Sequence, residues 1–354
     1  MITYSLDSGG AERVLSILTN YWSYLGYELV LVTIVDRESF YPLSSKIRHI
    51  KLGIDKESIK SKNMMNDNFM RISKITEIFR NENPEIVISF LTKINILSII
   101  AAKLASLPIL VSERTNHNSL QSKIWKTLRR VIYPFSNGLI VQSEYDKDKY
   151  KFHKNCKVIQ NPLQAIHNHH IVMRKNIILG VGRLVDLKGF DMLIEAFSKL
   201  KNREDWKLIL LGEGELRQTL QQQIYELKLE NIVYMPGNTK DVESYYKKAS
   251  IFVHSSRLEG FPNALIEAMA NGCAPIAFDC LTGPSDIIEH KINGLLVEAE
   301  NIDSLEAAIQ SLVDDPINIK NYGDSARKVE KKLSIEKISK QWLQVINNII
   351  NKDK

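Results

Sequence analysis

Ile251-Phe252-Val253-His254-Ser255-Ser256-Arg257-Leu258-Glu259-Gly260-Phe261-Pro262-Asn263-Ala264-Leu265-Ile266-Glu267-Ala268-Met269-Ala270 reads as a buried strand, a turn and an amphipathic helix. Pro262 suits the first helical position, where its missing N–H costs nothing, and it drives Phe261 toward extended backbone. The helix is therefore expected to begin near Asn263. The N–H groups of Asn263, Ala264 and Leu265 would then lack intrahelical partners, at an end that also carries partial positive charge. Such an end suits a diphosphate. Glu259 lies on the loop just ahead of it, and Glu267 lies one turn inside the helix, where a carboxylate can accept from neutral hydroxyls. A single acid at this place is as readily explained as a stabilising first-turn charge with no ligand. The pair has to be judged with its surroundings.

Outward from this stretch, short apolar runs alternate with segments of helical period. In the first half the runs fall at 29–35, 86–90, 109–112 and 139–142; in the second at 177–181, 207–211, 232–234, 251–254 and 275–278. That alternation predicts parallel sheets, with ligands beyond the carboxyl ends of the strands. The expected organisation is a first domain at 1–164, a linker at 165–174, a second domain at 175–334 and a last helix at 335–354. The linker is polar, and its His167, His169 and His170 fit an exposed histidine-rich connection better than a metal cluster. Ile335, Ile338, Trp342, Val345, Ile346 and Ile349 share one face of the last helix, which needs an apolar surface to cover. Only a few residues precede Ser8-Gly9-Gly10, so the first strand is expected to be short and the start truncated.

Several turns at predicted strand ends carry glycine or charge. Ser8-Gly9-Gly10 leads into a helix with Val14, Leu15, Leu18 and Trp22 on its apolar face, and its glycines allow close backbone approach. Gly182-Arg183-Leu184 ends one strand, with Lys188-Gly189 shortly after. A planar guanidinium and a compact ammonium at this spacing suit a diphosphate, or equally surface pairing with Asp186 or Asp191. Gly212-Glu213-Gly214 and Pro236-Gly237-Asn238 read as ordinary turns. Thr282-Gly283-Pro284 offers a backbone N–H at Gly283, and Ser112-Glu113-Arg114-Thr115-Asn116-His117 closes a strand of the first half.

Glu259-x7-Glu267 with Gly260-Phe261-Pro262 between, together with Gly9-Gly10-Ala11-Glu12-Arg13 and the Arg183/Lys188 pair, resembles the retaining glycosyltransferase family 4 over almost the whole chain. The resemblance implies the GT-B fold, two Rossmann-like doubly wound parallel-sheet α/β domains facing a cleft, with the last helix crossing back over the first domain. It implies a nucleoside-diphosphate sugar, UDP- or GDP-linked, as donor. Arg183, Lys188 and the helix start would hold its diphosphate, Glu259 the sugar ring, Glu267 the ribose hydroxyls and backbone near Gly237 the base. Gly10, Gly260, Phe261, Asn263, Ala264, Leu265 and Gly283 would complete the donor site. Where many family members carry a sugar-contacting histidine, this chain has Arg114, with His117 three residues on; either could reach the sugar or acceptor, or both could belong to a plain loop. No metal and no other cofactor is expected. The tract near Gly283 resembles transferases that add hexoses or N-acetylhexosamines to lipid-linked glycans in O-antigen or capsule assembly. A nucleotide-sugar epimerase or a non-catalytic nucleotide-sugar binding protein on the same fold is the rival reading.

Composition fits an ordinary globular protein of 354 residues, 44% hydrophobic and 25% charged. Cys156, Cys273 and Cys280 show neither a disulfide framework nor metal-ligand spacing, and read as reduced core thiols of a cytoplasmic protein. Residues 1–164 hold 23 basic against 15 acidic side chains, and the remainder 24 against 26. The basic half points to an anionic membrane surface, not to nucleic acid, whose binding motifs are absent. The predicted place is peripheral, on the cytoplasmic face of the plasma membrane, near a lipid-linked saccharide acceptor. The segment 123–133 mixes cations with large apolar residues and reads equally as an interfacial helix or as one packed on its sheet. Asp146-Lys147-Asp148 has a metal-binding pattern but is expected on a solvated helical face.

Overall fold

The computed structural model describes residues 1–54, 64–164 and 173–352. The histidines proposed for the linker lie outside the described residues. Two compact units are formed, one from Met1–Gln164 with Leu333–Lys354, the other from Ala165–Lys332.

In the first unit seven parallel strands, β1 (Ile2–Thr3), β2 (Val30–Thr33), β3 (Arg48–Lys51), β4 (Val87–Phe90), β5 (Ile109–Ser112), β6 (Gly138–Val141) and β7 (Cys156–Val158), lie in the order 3-2-1-4-5-6-7. β1 is two residues long yet pairs on both sides, Ile2 with Val32 and with Ser89. In the second unit β8 (Lys175–Val181), β9 (Lys207–Leu211), β10 (Val233–Gly237), β11 (Ala249–His254), β12 (Ala274–Phe278) and β13 (Leu295–Val297) lie in the order 10-9-8-11-12-13, again all parallel. Most apolar runs of the sequence are the strands buried on both faces; the run at 232–234 falls on the edge strand β10, where Tyr234 is exposed. β3, β7 and β13 escape that reading because they are short, partly exposed edge strands with polar residues or only three positions.

Each unit has its own core. Ile75, Phe79, Ile94, Leu97, Ile109 and Tyr133 belong to the first, and Leu193, Phe197, Leu208, Ile251, Ile276 and Ile309 to the second. The helix Ile335–Ile350 is part of the first unit. Its Trp342 is fully buried, stacks on Phe90 with centroids 5.9 Å apart and meets Trp22 edge-on at 6.0 Å. Trp22 Nε1 donates to Ser339 Oγ at 2.8 Å. The amphipathic face read from the sequence is thus the buried one, with Ile335, Ile338, Ile346 and Ile349 beside Trp342.

Among the described residues no helix is long and apolar enough to cross a membrane. Helix Lys123–Ile132 has a divided surface. Arg129 is buried, against the Tyr150 ring and 2.9 Å from His117 Nε2, so it is not one of the exposed cations. Ile124, Val131 and Phe135 are more than half exposed, alongside exposed Lys123, Lys126 and Arg130.

Candidate functional site

In an open parallel sheet the crevice for a ligand opens where the strand order reverses. In the second unit this switch point is between β8 and β11. The strongest sequence candidates meet there. Lys188 Nζ lies 2.5 Å from Glu259 Oε1, with the two side chains 20% and 10% exposed.

The chain reaches this geometry by close backbone approach. β8 is followed by Gly182, where a Cβ would stand 3.3 Å from Lys188 Cδ, so the lysine stem lies along bare backbone. Gly189 has φ +60°, and a Cβ there would collide with the Ser255 carbonyl. Ser255 Oγ in turn donates to the Lys188 carbonyl at 2.9 Å. Arg257 clamps the same two loops: its guanidinium grips Asp191 at 3.0 and 2.7 Å, and its N–H donates to the Leu187 carbonyl. Asp186 and Asp191 pair with Arg257 here, not with Arg183 or Lys188. Arg183 is exposed and makes no side-chain hydrogen bond or ion pair among the described residues.

Next to Glu259, Thr282 Oγ1 donates to the Glu259 carbonyl, and Gly283, at φ +100°, packs against Pro262. Helix Asn263–Ala270 opens here. Pro262 is its capping residue, with φ −83° and ψ 87°, and not the first helical residue as the sequence suggested. Its carbonyl accepts from both Leu265 and Ile266, at 3.1 and 3.2 Å. The N–H of Leu265, expected in the donor site, is already engaged with Pro262, and its side chain is fully buried. Phe261 is also a core side chain, so Phe261 can meet a ligand only through backbone, and Gly260 has only backbone to offer. Asn263 and Ala264 are half-buried at the helix start. Glu267 accepts from Tyr246 OH at 3.2 Å.

The remaining turns continue across the sheet. A Cβ on Gly212 would collide with the Gly182 carbonyl, and Gly212 N–H donates to the Gly237 carbonyl at 3.1 Å. Gly237 sits at φ +93° against Glu213, which Arg217 holds in a bidentate pair at 2.8 and 2.6 Å. Ends of β10, β9, β8, β11 and β12 thus present Gly237, Gly212, Gly182, Glu259 and Gly283 in sheet order.

Burial alone would raise the Glu259 carboxyl, but the Lys188 ammonium and then His254 outweigh it and hold the group well below the usual carboxylate range. His254, Ser255, Arg257 and Tyr246 were not singled out from the sequence. Ser255, Arg257 and Tyr246 find their partners far along the chain, and His254, though near Glu259 in sequence, reads only as the last residue of a buried strand.

The first-unit candidates divide. Gly10 opens helix Gly10–Tyr24 and is exposed. Arg114 is 7% exposed, donates to Asn161 Oδ1 at 2.7 Å and lies over the rings of Phe90 and Trp342. Burial pushes its guanidinium down to about 9, with Glu113 acting the other way. It is a core cation and does not present itself to a sugar. His117 does not swing free either: its ring packs edge-on to Tyr150 at 5.0 Å and lies 2.9 Å from Arg129, and its backbone N–H donates to Asp146 at 3.0 Å. Asp146 is correspondingly buried, bonded through its N–H and its carboxylate to the capping Ser143, and not on a solvated face.

Burial, followed by the charge of Arg129, holds the His117 imidazole down at about 4. His49 and His153 are lowered in the same direction by burial. An unfolded chain takes up protons at these rings below about pH 6.5. Stability should therefore be complete above that pH, fall as the pH drops toward 4, and level off below it as far as His117 is concerned. Urea midpoints measured across that range check this, and His117→Phe should flatten part of the slope.

Residues 164–329 match the model of the family described as glycosyl transferases group 1. The chain is 30% identical, over 99% of its length and 98% of the relative's, to a Campylobacter jejuni enzyme. That relative is described as a GalNAc-alpha-(1->4)-GalNAc-alpha-(1->3)-diNAcBac-PP-undecaprenol alpha-1,4-N-acetyl-D-galactosaminyltransferase. This chain is also 26% identical to the amylovoran biosynthesis glycosyltransferase AmsD of Erwinia amylovora, over 96% of this chain and 97% of that one. The Anabaena HepE structure with UDP and glucose superposes with a TM-score of 0.81 at 17% identity, covering 98% of each chain. This likeness shows the GT-B fold.

Proposed function

We propose, because this chain belongs to the group 1 glycosyl transferases, that it moves a hexose or N-acetylhexosamine from a nucleoside-diphosphate sugar to a saccharide carried on a polyprenyl diphosphate, as a retaining family 4 enzyme of bacterial surface polysaccharide biosynthesis. The observation that carries the donor half of this reading is the meeting of Lys188 and Glu259 at the switch point between β8 and β11, beside the start of helix Asn263–Ala270. The acceptor half rests on the relatives, which include enzymes named for undecaprenyl-diphosphate-linked glycans.

Lys188, Arg183 and the helix start stabilise charge on the departing diphosphate, which supplies much of the rate in such a transfer. Glu259 orients the sugar through its hydroxyls. The bond from the anomeric carbon to the diphosphate breaks as the acceptor oxygen bonds on the same face, and a donor phosphate oxygen takes the acceptor proton. This account uses no divalent metal. The exposed stripe of Ile124, Val131 and Phe135 with Lys123, Lys126 and Arg130 supports docking on an anionic membrane, at the cytoplasmic face where such acceptors are made.

Mass spectrometry of products from a panel of UDP- and GDP-sugars, with a lipid-diphosphate saccharide in phosphatidylglycerol vesicles or detergent, tests the reading. Expected are a glycosylated acceptor, undiminished transfer in EDTA, and slower transfer in vesicles alone once Lys123, Lys126 and Arg130 are neutralised. An altered sugar from donor without acceptor would indicate the epimerase, and chelator inhibition reversed by manganese would contradict the metal-free mechanism.

A further inference from the structure

Two basic groups converge on one carboxylate oxygen in this site, and only one of them is bonded to it. Glu259 Oε1 is 2.5 Å from Lys188 Nζ, a hydrogen-bonded ion pair, and 3.2 Å from His254 Nε2. The imidazole contact lacks hydrogen-bond alignment, and the buried Nε2 makes no aligned hydrogen bond among the described residues. His254 ends β11, is 3% exposed, and stacks near Phe252 at 6.5 Å and 18°. A buried polar atom without a partner is costly, and a fold retains one where another state of the site employs it.

Donor binding supplies that state, on the donor-site reading given above. The Lys188 ammonium is a compact charge that cannot serve a buried carboxylate and an incoming diphosphate equally. Drawn to the diphosphate, it would leave Glu259 as an uncompensated buried charge unless another cation replaced it. We propose that His254 is a positioning residue that takes over Glu259 from Lys188 when the diphosphate binds, accepting one proton from solvent as it does so.

The other groups around the pair leave this role to His254. Cys280, from the loop after β12, is pushed up to about 11 by burial and then by the charge of Glu259, so its thiol is neutral. Arg257 is engaged with Asp191. In the free protein the Lys188 ammonium on the same oxygen opposes a second positive charge; once it departs, the bare carboxylate favours the imidazolium. Glu259 Oε2 takes no hydrogen bond among the described residues, so a carboxylate held through Oε1 keeps Oε2 for a sugar hydroxyl.

Calorimetric titration of the full chain with UDP, and with GDP, at pH 7.5 in buffers of different ionisation enthalpy reads the proton directly. Net uptake of roughly 0.5 proton or more per nucleotide is expected for the hand-off. His254→Asn should bind with uptake near zero, which also sets the baseline for the proton on the terminal phosphate. Histidine-ring nitrogen spectra give an independent reading: the His254 resonances should move toward the imidazolium pattern on adding UDP, and the same pattern should appear without UDP in Lys188→Met. Nucleotide binding with no uptake and an unchanged ring would overturn the hand-off while leaving the donor site standing. Failure of both nucleotides to bind would remove the donor-site reading and this inference together.

Discussion

Lys188→Ala is expected to abolish sugar transfer, lowering the rate by at least about 100–1,000-fold, because it removes a preorganised cation from the position where the leaving diphosphate gathers charge. Glu259→Ala should be as severe, through loss of the group that orients the sugar. The two losses have different structural signatures. Lys188 stands against a carboxylate only 10% exposed, and stripping one partner from such a buried pair destabilises by up to about 3–5 kcal/mol. Thermal unfolding of Lys188→Ala should show that loss, reduced by however far His254 compensates. A double variant, Lys188→Met with Glu259→Gln, removes both charges and should recover most of the stability while remaining inactive. If it instead recovered transfer, the pair would be structural only. The ion pair also fixes the acid side of stability. A carboxyl held below its usual range contributes fully above about pH 4.3 and progressively less as the pH falls below that.

Trp342→Ala should cost about 3–5 kcal/mol, the usual loss for a fully buried tryptophan. This side chain joins three parts of the first unit: Trp22 from the first helix, Phe90 at the end of β4, and Arg114 after β5. Its removal opens a cavity and uncovers a guanidinium whose Nε and Nη2 make no hydrogen bond among the described residues. Urea unfolding should give a midpoint shifted strongly downward. A loss below about 1 kcal/mol would mean that the last helix contributes little to the unit that it completes. Trp342→Phe keeps a ring against Phe90 and should recover more than half of the loss.

These contacts mark what the sequence made legible. Strands such as β5, β9 and β11 could be read because burial on both faces leaves a continuous apolar run. The pairing of Lys188 with Glu259 could be anticipated only as a shared site, since a spacing of 71 residues says nothing about distance until the sheet order brings β8 beside β11. Arg114 and His117 misled for the opposite reason. A cation and an imidazole after a strand look available to a ligand, yet ring stacking and Asn161 absorb the first, and Tyr150 and Arg129 the second. Arg257 was invisible because its clamp on Asp191 is a tertiary contact with no local pattern.

The central claim is that the diphosphate of the donor sits where the ends of β8, β11 and β12 converge. Amide chemical-shift mapping of the full chain titrated with UDP, or with GDP if UDP does not bind, tests this most directly. The largest shifts should fall on Gly182, Arg183, Ala264 and Gly283, with smaller ones near Gly237. Saturable shifts confined to other residues, with these four unmoved, would contradict it.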